Sequence, residues 1–275
     1  MLGLRIKKAY FDAPDGQVHY RYLLSTRFVA QSPCVFLHSS GGSSVQFEKL
    51  MRLHAGRGHD CFAPDLPGFG SSYDPADQPS STGYYVDVLM RLFRSLNLPR
   101  FHLFGHQSGA NLATEIAAKY PSCLLSVCIS APPSMTPNEQ KNQVAQDTTP
   151  FNQPVADGSH LLKTWEHLKT TGDDLQYRQQ EALDHIRSWK GIPQLNMCVS
   201  EQDTWGLVEK VGCPVLALCA RDDIFWHQFH CARETRPEVR CEEVAGGDLS
   251  PSRNPEAVAK LHFEFLDKLG SWTLC

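Results

Sequence analysis

The sequence predicts an α/β protein built on a doubly wound, mostly parallel sheet, with a helical cap inserted late in the chain. Three observations carry that prediction. Short apolar runs alternate with helical periodicity through most of the 275 residues, which is the pattern of βαβ units. From about Pro132 to Trp205 the alternation stops. That stretch is polar, with helical pieces at His160–Leu168 and Tyr177–Trp189 and no strand of the parallel type. Finally, Arg100–Pro121 reads as an apolar strand, a turn bounded by Gly105 and Gly109, and a helix with Leu112, Ile116 and Tyr120 at helical spacing.

In chain order, Ile6–Phe11 and Val18–Leu24 predict two antiparallel strands joined by the turn Ala13–Gln17. Cys34–Leu37 is a buried-type strand that ends at the loop His38-Ser39-Ser40-Gly41-Gly42-Ser43-Ser44. A helix over Phe47–Leu53 and a short strand at Cys61–Ala63 follow, then the turn-rich loop Asp65–Ser72. Tyr85, Val88, Leu89, Leu92 and Leu96 give Tyr84–Leu96 a helical stripe. Leu125–Ile129 is the strand after the Gly-bounded turn. Alternation resumes with Pro214–Cys219 and Val239–Val244 and closes on a helix with Asn254 as N-cap and Pro255 in its first position. Its face carries Val258, Leu261, Phe265 and Leu269. The expected division is a core of residues 1–131 and 207–275, with the cap as 132–206.

Composition narrows the function classes. A hydrophobic fraction of 41% with 20% charged residues is that of an ordinary globular protein. The net charge of −4 supplies no electrostatic reason for nucleic acid or an anionic membrane as partner. The ten cysteines show no C-x-x-C pair and no metal-ligand spacing, which predicts thiols in a reducing compartment. The N-terminus has no apolar signal region and no apolar run approaches the about 20 residues of a membrane span. These features predict a cytoplasmic protein. With no dinucleotide loop, P-loop or ligand cluster, no cofactor and no metal are expected. The predicted partner is a hydrophobic small molecule, and a homodimer is left open.

The strand–turn–helix at Gly105–Gly109 is the element on which many enzymes hold a nucleophile, as G-x-S-x-G. Here the central residue is Gln107, whose amide cannot be that nucleophile. Together with Phe36-Leu37-His38, Asp65-Leu66-Pro67-Gly68-Phe69-Gly70-Ser71-Ser72 and Pro214–Asp223, the chain resembles the α/β-hydrolase superfamily with a helical cap. The resemblance covers nearly the whole chain and implies an eight-stranded α/β-hydrolase fold. It also implies a triad in the order nucleophile, acid, base. Those positions fall on Gln107, on Asp223 in Ala220-Arg221-Asp222-Asp223, and on Asp248 in Gly246-Gly247-Asp248. The chain further resembles a cap-bearing subgroup with an elbow like G-H-H-T-G-A, here Gly105-His106-Gln107-Ser108-Gly109-Ala110. That subgroup also has a cap segment like D-G-S-H-L-x-x-x-W, here Asp157–Trp165.

Serine-type acyl transfer needs a base-activated nucleophile, so Gln107 and Asp248 argue against an ordinary esterase. The expected catalytic set is Gln107 as an orienting amide, Asp223 and Asp248 as a carboxylate pair, His160 as acid/base from the cap, and Ser108. Ser108 supplies the backbone N–H that would form an oxyanion hole with that of Ser40. A paired carboxylate raises one pKa and can keep one group protonated near neutrality. Ser39, Ser40, His38, His106, Trp165, Trp226 and His227 are the expected substrate-binding set, with His38 and His106 read first as structural histidines. Three functions remain open. One is an enzyme of lyase, isomerase, cyclase or dehydratase type acting on a hydrophobic, carbonyl-bearing molecule of secondary-metabolite kind. The others are a catalytically silent ligand-binding or interaction protein, and a hydrolase using carboxylate-activated water.

Overall fold

The computed structural model describes residues 5–134, 150–168, 174–245 and 250–270. Strands β1 (Lys7–Ala13) and β2 (Gly16–Leu23) form an antiparallel hairpin that closes on an Ala13–Gly16 pair, so the turn is tighter than the sequence suggested. The remaining strands are β3 (Gln31–Leu37), β4 (His59–Pro64), β5 (Phe101–His106), β6 (Leu124–Ser130), β7 (Val215–Ala220) and β8 (Arg240–Val244). They form one eight-stranded sheet in the order β1-β2-β4-β3-β5-β6-β7-β8. β2 meets β4 antiparallel, and every later pair is parallel. This is the α/β-hydrolase fold the sequence predicts.

Parallel strands covered on both faces read as continuous apolar runs, and β7, Val-Leu-Ala-Leu-Cys-Ala, is buried at every position. Helices α1 (Glu48–Arg57), α2 (Thr82–Ser95) and α3 (Ser108–Lys119) supply the cover for the first strands. One core layer gathers Leu37, Tyr85, Leu89, Phe93, Leu112 and Ile116, and the opposite layer gathers Phe36, Phe47, Phe104 and Val258. Between β6 and β7 the described residues form α4 (Ser159–His167), α5 (Leu175–Arg187), α6 (Gly191–Ser200) and α7 (Thr204–Val208). After β7 come α8 (Trp226–Phe229) and α9 (Cys231–Thr235), and after β8 come α10 (Ser250–Arg253) and α11 (Pro255–Gly270). Asn254 caps α11 through its side chain, which accepts from the Ala257 N–H at 3.4 Å.

Helix α5 ends two residues before Trp189, because a new helix starts at Gly191. That glycine lies so close to Gly68 that a Cβ on either would strike the other's backbone. Among the described residues no helix is long and apolar enough to cross a membrane, and no cluster of His, Cys, Asp and Glu could hold a metal. The described cysteines are free thiols.

Candidate active site

The turn between β5 and α3 is built by close approach of backbones. A Cβ at Gly105 would overlap the Gly109 backbone, and a Cβ at Gly109 would overlap the carbonyls of Leu37 and His38. Only glycine fits at either position, so the elbow survives whatever residue stands at its tip. Gln107 stands there with φ 47° and ψ −122°, a region that residues with a Cβ rarely occupy. Its N–H donates to the Ser130 carbonyl at 2.8 Å, and its carbonyl accepts from Ala110 at 2.7 Å. The side chain is half-buried. Ser108 opens α3, and its N–H is one of the first-turn amides that a helix cannot satisfy internally.

The loop after β3 faces this elbow. The Ser40 N–H donates to Ser108 Oγ at 2.6 Å, so in this conformation a hydroxyl oxygen occupies that donor. Ser40 Oγ is buried without a hydrogen-bond partner. Ser39 is bound on both sides by Gln46: its N–H donates to Oε1 at 3.1 Å and its Oγ accepts from Nε2 at 3.2 Å. Asp65 braces the same loop by accepting from the Ser44 N–H at 2.7 Å, the Ser71 N–H at 2.8 Å and the His19 ring at 2.8 Å. Burial pushes the Asp65 carboxyl up, but these donors and nearby His38 outweigh it and hold the group well below the usual carboxylate range.

His38 and His106, readable from the sequence as structural or as ligand-facing, both bond within the scaffold. Nδ1 of His38 donates to the Ser39 carbonyl at 2.8 Å, while Nε2 accepts from the Leu66 N–H at 2.9 Å. Neither nitrogen is left for a substrate. His106 is wholly buried beneath the elbow, with Nδ1 at 3.1 Å from Ser130 Oγ and Nε2 unpartnered. Burial lowers its pKa to about 3, so the ring is neutral. Ser39 joins this group, because both its loop N–H and its hydroxyl are taken up by Gln46.

Asp223 is buried at the carboxyl edge of the sheet, in the loop after β7. The registers His106–Ser130 and Ser130–Leu218 bring that edge two strands from the elbow. Its Oδ1 accepts from the Phe225 N–H at 2.8 Å, which holds the carboxylate in a tight local turn. Trp226 is half-buried and stacks on Phe229 at 5.4 Å, with the Arg221 guanidinium 5.5 Å from its ring, while His227 is exposed. Asp248 lies outside the described residues.

In the cap, His160 and Trp165 are not brought to the elbow by any contact. His160 Nδ1 accepts from the Val155 N–H at 3.3 Å, and the residue lines a groove with Phe151, Leu162 and Lys163. Trp165 carries the Arg178 guanidinium 5.4 Å from its ring centre. The cap residues that meet the oxyanion-type loop come from α5. Asp184 Oδ2 accepts from Ser43 Oγ at 3.0 Å. One residue on, the His185 ring lies against Gly41 (φ +80°), where a Cβ would sit 2.5 Å from His185 Nε2. His185 Nδ1 donates to the Glu181 carbonyl at 2.9 Å, and burial lowers the ring's pKa. Burial raises Glu181 to about 7, with Asp184 adding to it, and raises Asp184 itself to about 6. An open groove of about 620 Å³ runs along this side of α5, lined by Gln46, Tyr177, Glu181 and Ser252. Sequence reasoning assigned His185 no role; the one available signal was its place, four residues after Glu181, on a helix of the predicted cap.

Comparison with known proteins agrees with this architecture. The chain is 28% identical over 176 residues to a protein named probable lysophospholipase BODYGUARD 4 from Arabidopsis thaliana, covering 60% of this chain but only 42% of that protein. It is 24% identical over 226 residues to a putative 2-succinyl-6-hydroxy-2,4-cyclohexadiene-1-carboxylate synthase from Bacillus subtilis, covering 74% of this chain and 80% of that one. The structure superposes on an enol-lactonase from Burkholderia xenovorans with a TM-score of 0.77 at 15% identity, covering 94% of this chain and 100% of the other. At that identity the likeness shows the fold alone. The model of the alpha/beta hydrolase family matches residues 34–261, and the chain therefore belongs to that family.

Proposed function

We propose that this chain is a non-canonical member of its family that acts on a hydrophobic, carbonyl-bearing small molecule without a Ser-His-Asp triad. The observation that carries the reading is Gln107 at the strained tip of an otherwise complete elbow. Beside it the Ser40 N–H reaches the Ser108 hydroxyl, and the first-turn N–H of Ser108 is the second donor the reading invokes. Two aligned amides stabilise an oxygen that becomes negative during reaction, whatever group generates the charge. With no nucleophile at the tip, an enolate is the oxyanion that fits, which favours lyase, isomerase, cyclase or dehydratase chemistry over ester hydrolysis. Gln107 would orient the carbonyl, and Asp223 would serve as a carboxylate at the same sheet edge. The Bacillus relative carries the name of a synthase, which is consistent with such chemistry. A retained secondary-metabolite-type substrate is part of this proposal.

The test is proton exchange on a simple hydrophobic ketone. Deoxybenzoin incubated with the protein in D₂O is expected to gain deuterium at its α-carbon faster than in buffer. The protein is expected to resist labelling by a fluorophosphonate. Covalent labelling of Ser108 would overturn the proposal in favour of serine hydrolysis. A second reading, a silent ligand-binding protein, draws on the Ser108 hydroxyl that already occupies the Ser40 donor. Binding of deoxybenzoin without any exchange would favour it.

A further inference from the structure

We propose that His185, on cap helix α5, is the proton-transferring base of this site and reaches the ligand across Gly41 from the cap side. The inference rests on the enolate reading above and adds to it the group that moves the proton. No expectation from the sequence assigned that role to His185.

The geometry argues for it in three steps. First, the imidazole lies on Gly41, the residue next to Ser40, whose N–H donates to the Ser108 hydroxyl at the start of α3. A side chain larger than hydrogen at Gly41 would strike the ring, so the loop leaves room for it. Second, the bond from Nδ1 to the Glu181 carbonyl fixes the tautomer. A carbonyl only accepts, so Nδ1 carries the proton and Nε2 presents a lone pair. Among the described residues no hydrogen bond takes that lone pair. Third, the other histidines near the loop are unsuited. Both nitrogens of His38 are bound, and the free nitrogen of His106 is sealed in the core.

The step balances within the site. The α-C–H bond of the ligand breaks, its proton forms an N–H bond at His185 Nε2, and the electron pair moves onto the carbonyl oxygen held by the Ser40 and Ser108 amides. Return of the proton, to the same or another carbon, restores neutral imidazole. Burial and the His167 imidazole both disfavour the imidazolium, so the protonated ring is a transient species that returns its proton readily. Glu181 and Asp184 lie on α5 itself, His167 lies on α4, and the facing loop Ser39–Ser44 carries no charged side chain.

Deuterium exchange into deoxybenzoin reads the role directly. His185→Gln is expected to lower the catalysed exchange by about 100-fold or more, the range of a lost general base, with KM within about threefold. In the wild type the rate should stay level from neutral pH downward and fall only below the ordinary histidine range. A measurement on the unmodified protein removes any dependence on how the variant folds. Diethyl pyrocarbonate should acylate His185, with the exposed His230 as internal control, and deoxybenzoin should protect His185 alone. Exchange that survives in a folded His185→Gln protein overturns this role and leaves the enolate reading standing. Acylation of His230 without His185 does the same. Wild-type protein that exchanges no deuterium overturns the enolate reading and this role together.

Discussion

Replacing Gln107 by glycine should stabilise the protein while removing the side chain at the tip of the elbow. Gln107 holds φ 47° and ψ −122°, outside the left-handed helical well and in territory where a Cβ is strained by of order 1–3 kcal/mol. Glycine removes that strain. Against it stands the larger freedom of glycine in the unfolded chain, worth about 0.5–1 kcal/mol. The side chain is half-buried, so little packing is lost. The difference is a gain of about 0.5–2 kcal/mol, equivalent to about 1–8 °C in Tm for a chain of this size. Urea unfolding of both proteins, compared at equal m-value, measures it. Asn97, at φ 53° just beyond α2, is a control. Asparagine tolerates the left-handed well, so Asn97→Gly should change stability by less than about 0.5 kcal/mol. A Gln107→Gly protein no more stable than the wild type would refute the claim that the elbow holds strain at its tip. It would also remove the argument that Gln107 is kept there for its side chain.

Three further outcomes follow from the same geometry. Ser108→Ala removes the hydroxyl on the Ser40 N–H, so it should cost about 1 kcal/mol of stability in urea titration yet tighten deoxybenzoin binding several-fold; weaker binding would mean the hydroxyl belongs to the ligand site. His54 and His106 have pKa values lowered to about 3 by burial. A lowered histidine pKa leaves the unfolded state holding more protons below the ordinary value, so stability falls as pH drops through 6.5 toward 3. By pH 5 each ring should have withdrawn about 2 kcal/mol, and an NMR titration that finds either ring protonated in the folded protein at pH 5 would contradict that burial. Glu181 is shifted the other way, to about 7. Its contribution is present below the ordinary carboxylate value and is lost as pH rises toward 7. Glu181→Gln should therefore stabilise by about 3 kcal/mol at pH 8 and by much less at pH 4; a gain equal at both would place the cause outside ionisation.

Part of this protein could be read from local pattern because the physics there is local. Gly105 and Gly109 mark the elbow, since only a missing Cβ lets α3 pass so close to β3. Asn254-Pro255 marks the start of α11 because a side-chain cap and a residue without an N–H suit a first turn. The alternation of apolar strands with helical stripes determined the fold class and the parallel sheet. Other features depended on contacts between distant parts of the chain. Helix α6, Gly-Ile-Pro-Gln-Leu-Asn-Met-Cys-Val-Ser, carries Pro193 and no clean stripe, and its first residue is set by packing on Gly68.

The histidines show the same division most sharply. Sequence pattern placed His160 near the ligand and left His38 and His106 open to a structural or a ligand-facing role, since each stands beside a recognisable motif. The structure assigns the nitrogens of His38 to Ser39 and Leu66, seals His106 under the elbow, and sets His160 on an outer groove. It is His185 that meets the loop beside the elbow, through a docking of cap on core also held by Ser43 and Asp184, residues 141 apart in the chain. Which face of a cap helix turns inward is decided by that docking, because helical periodicity defines a face but not its direction. The sequence by itself determined the scaffold and the glutamine at the tip of its elbow; only the tertiary structure decided which imidazole packs on Gly41 of the facing loop.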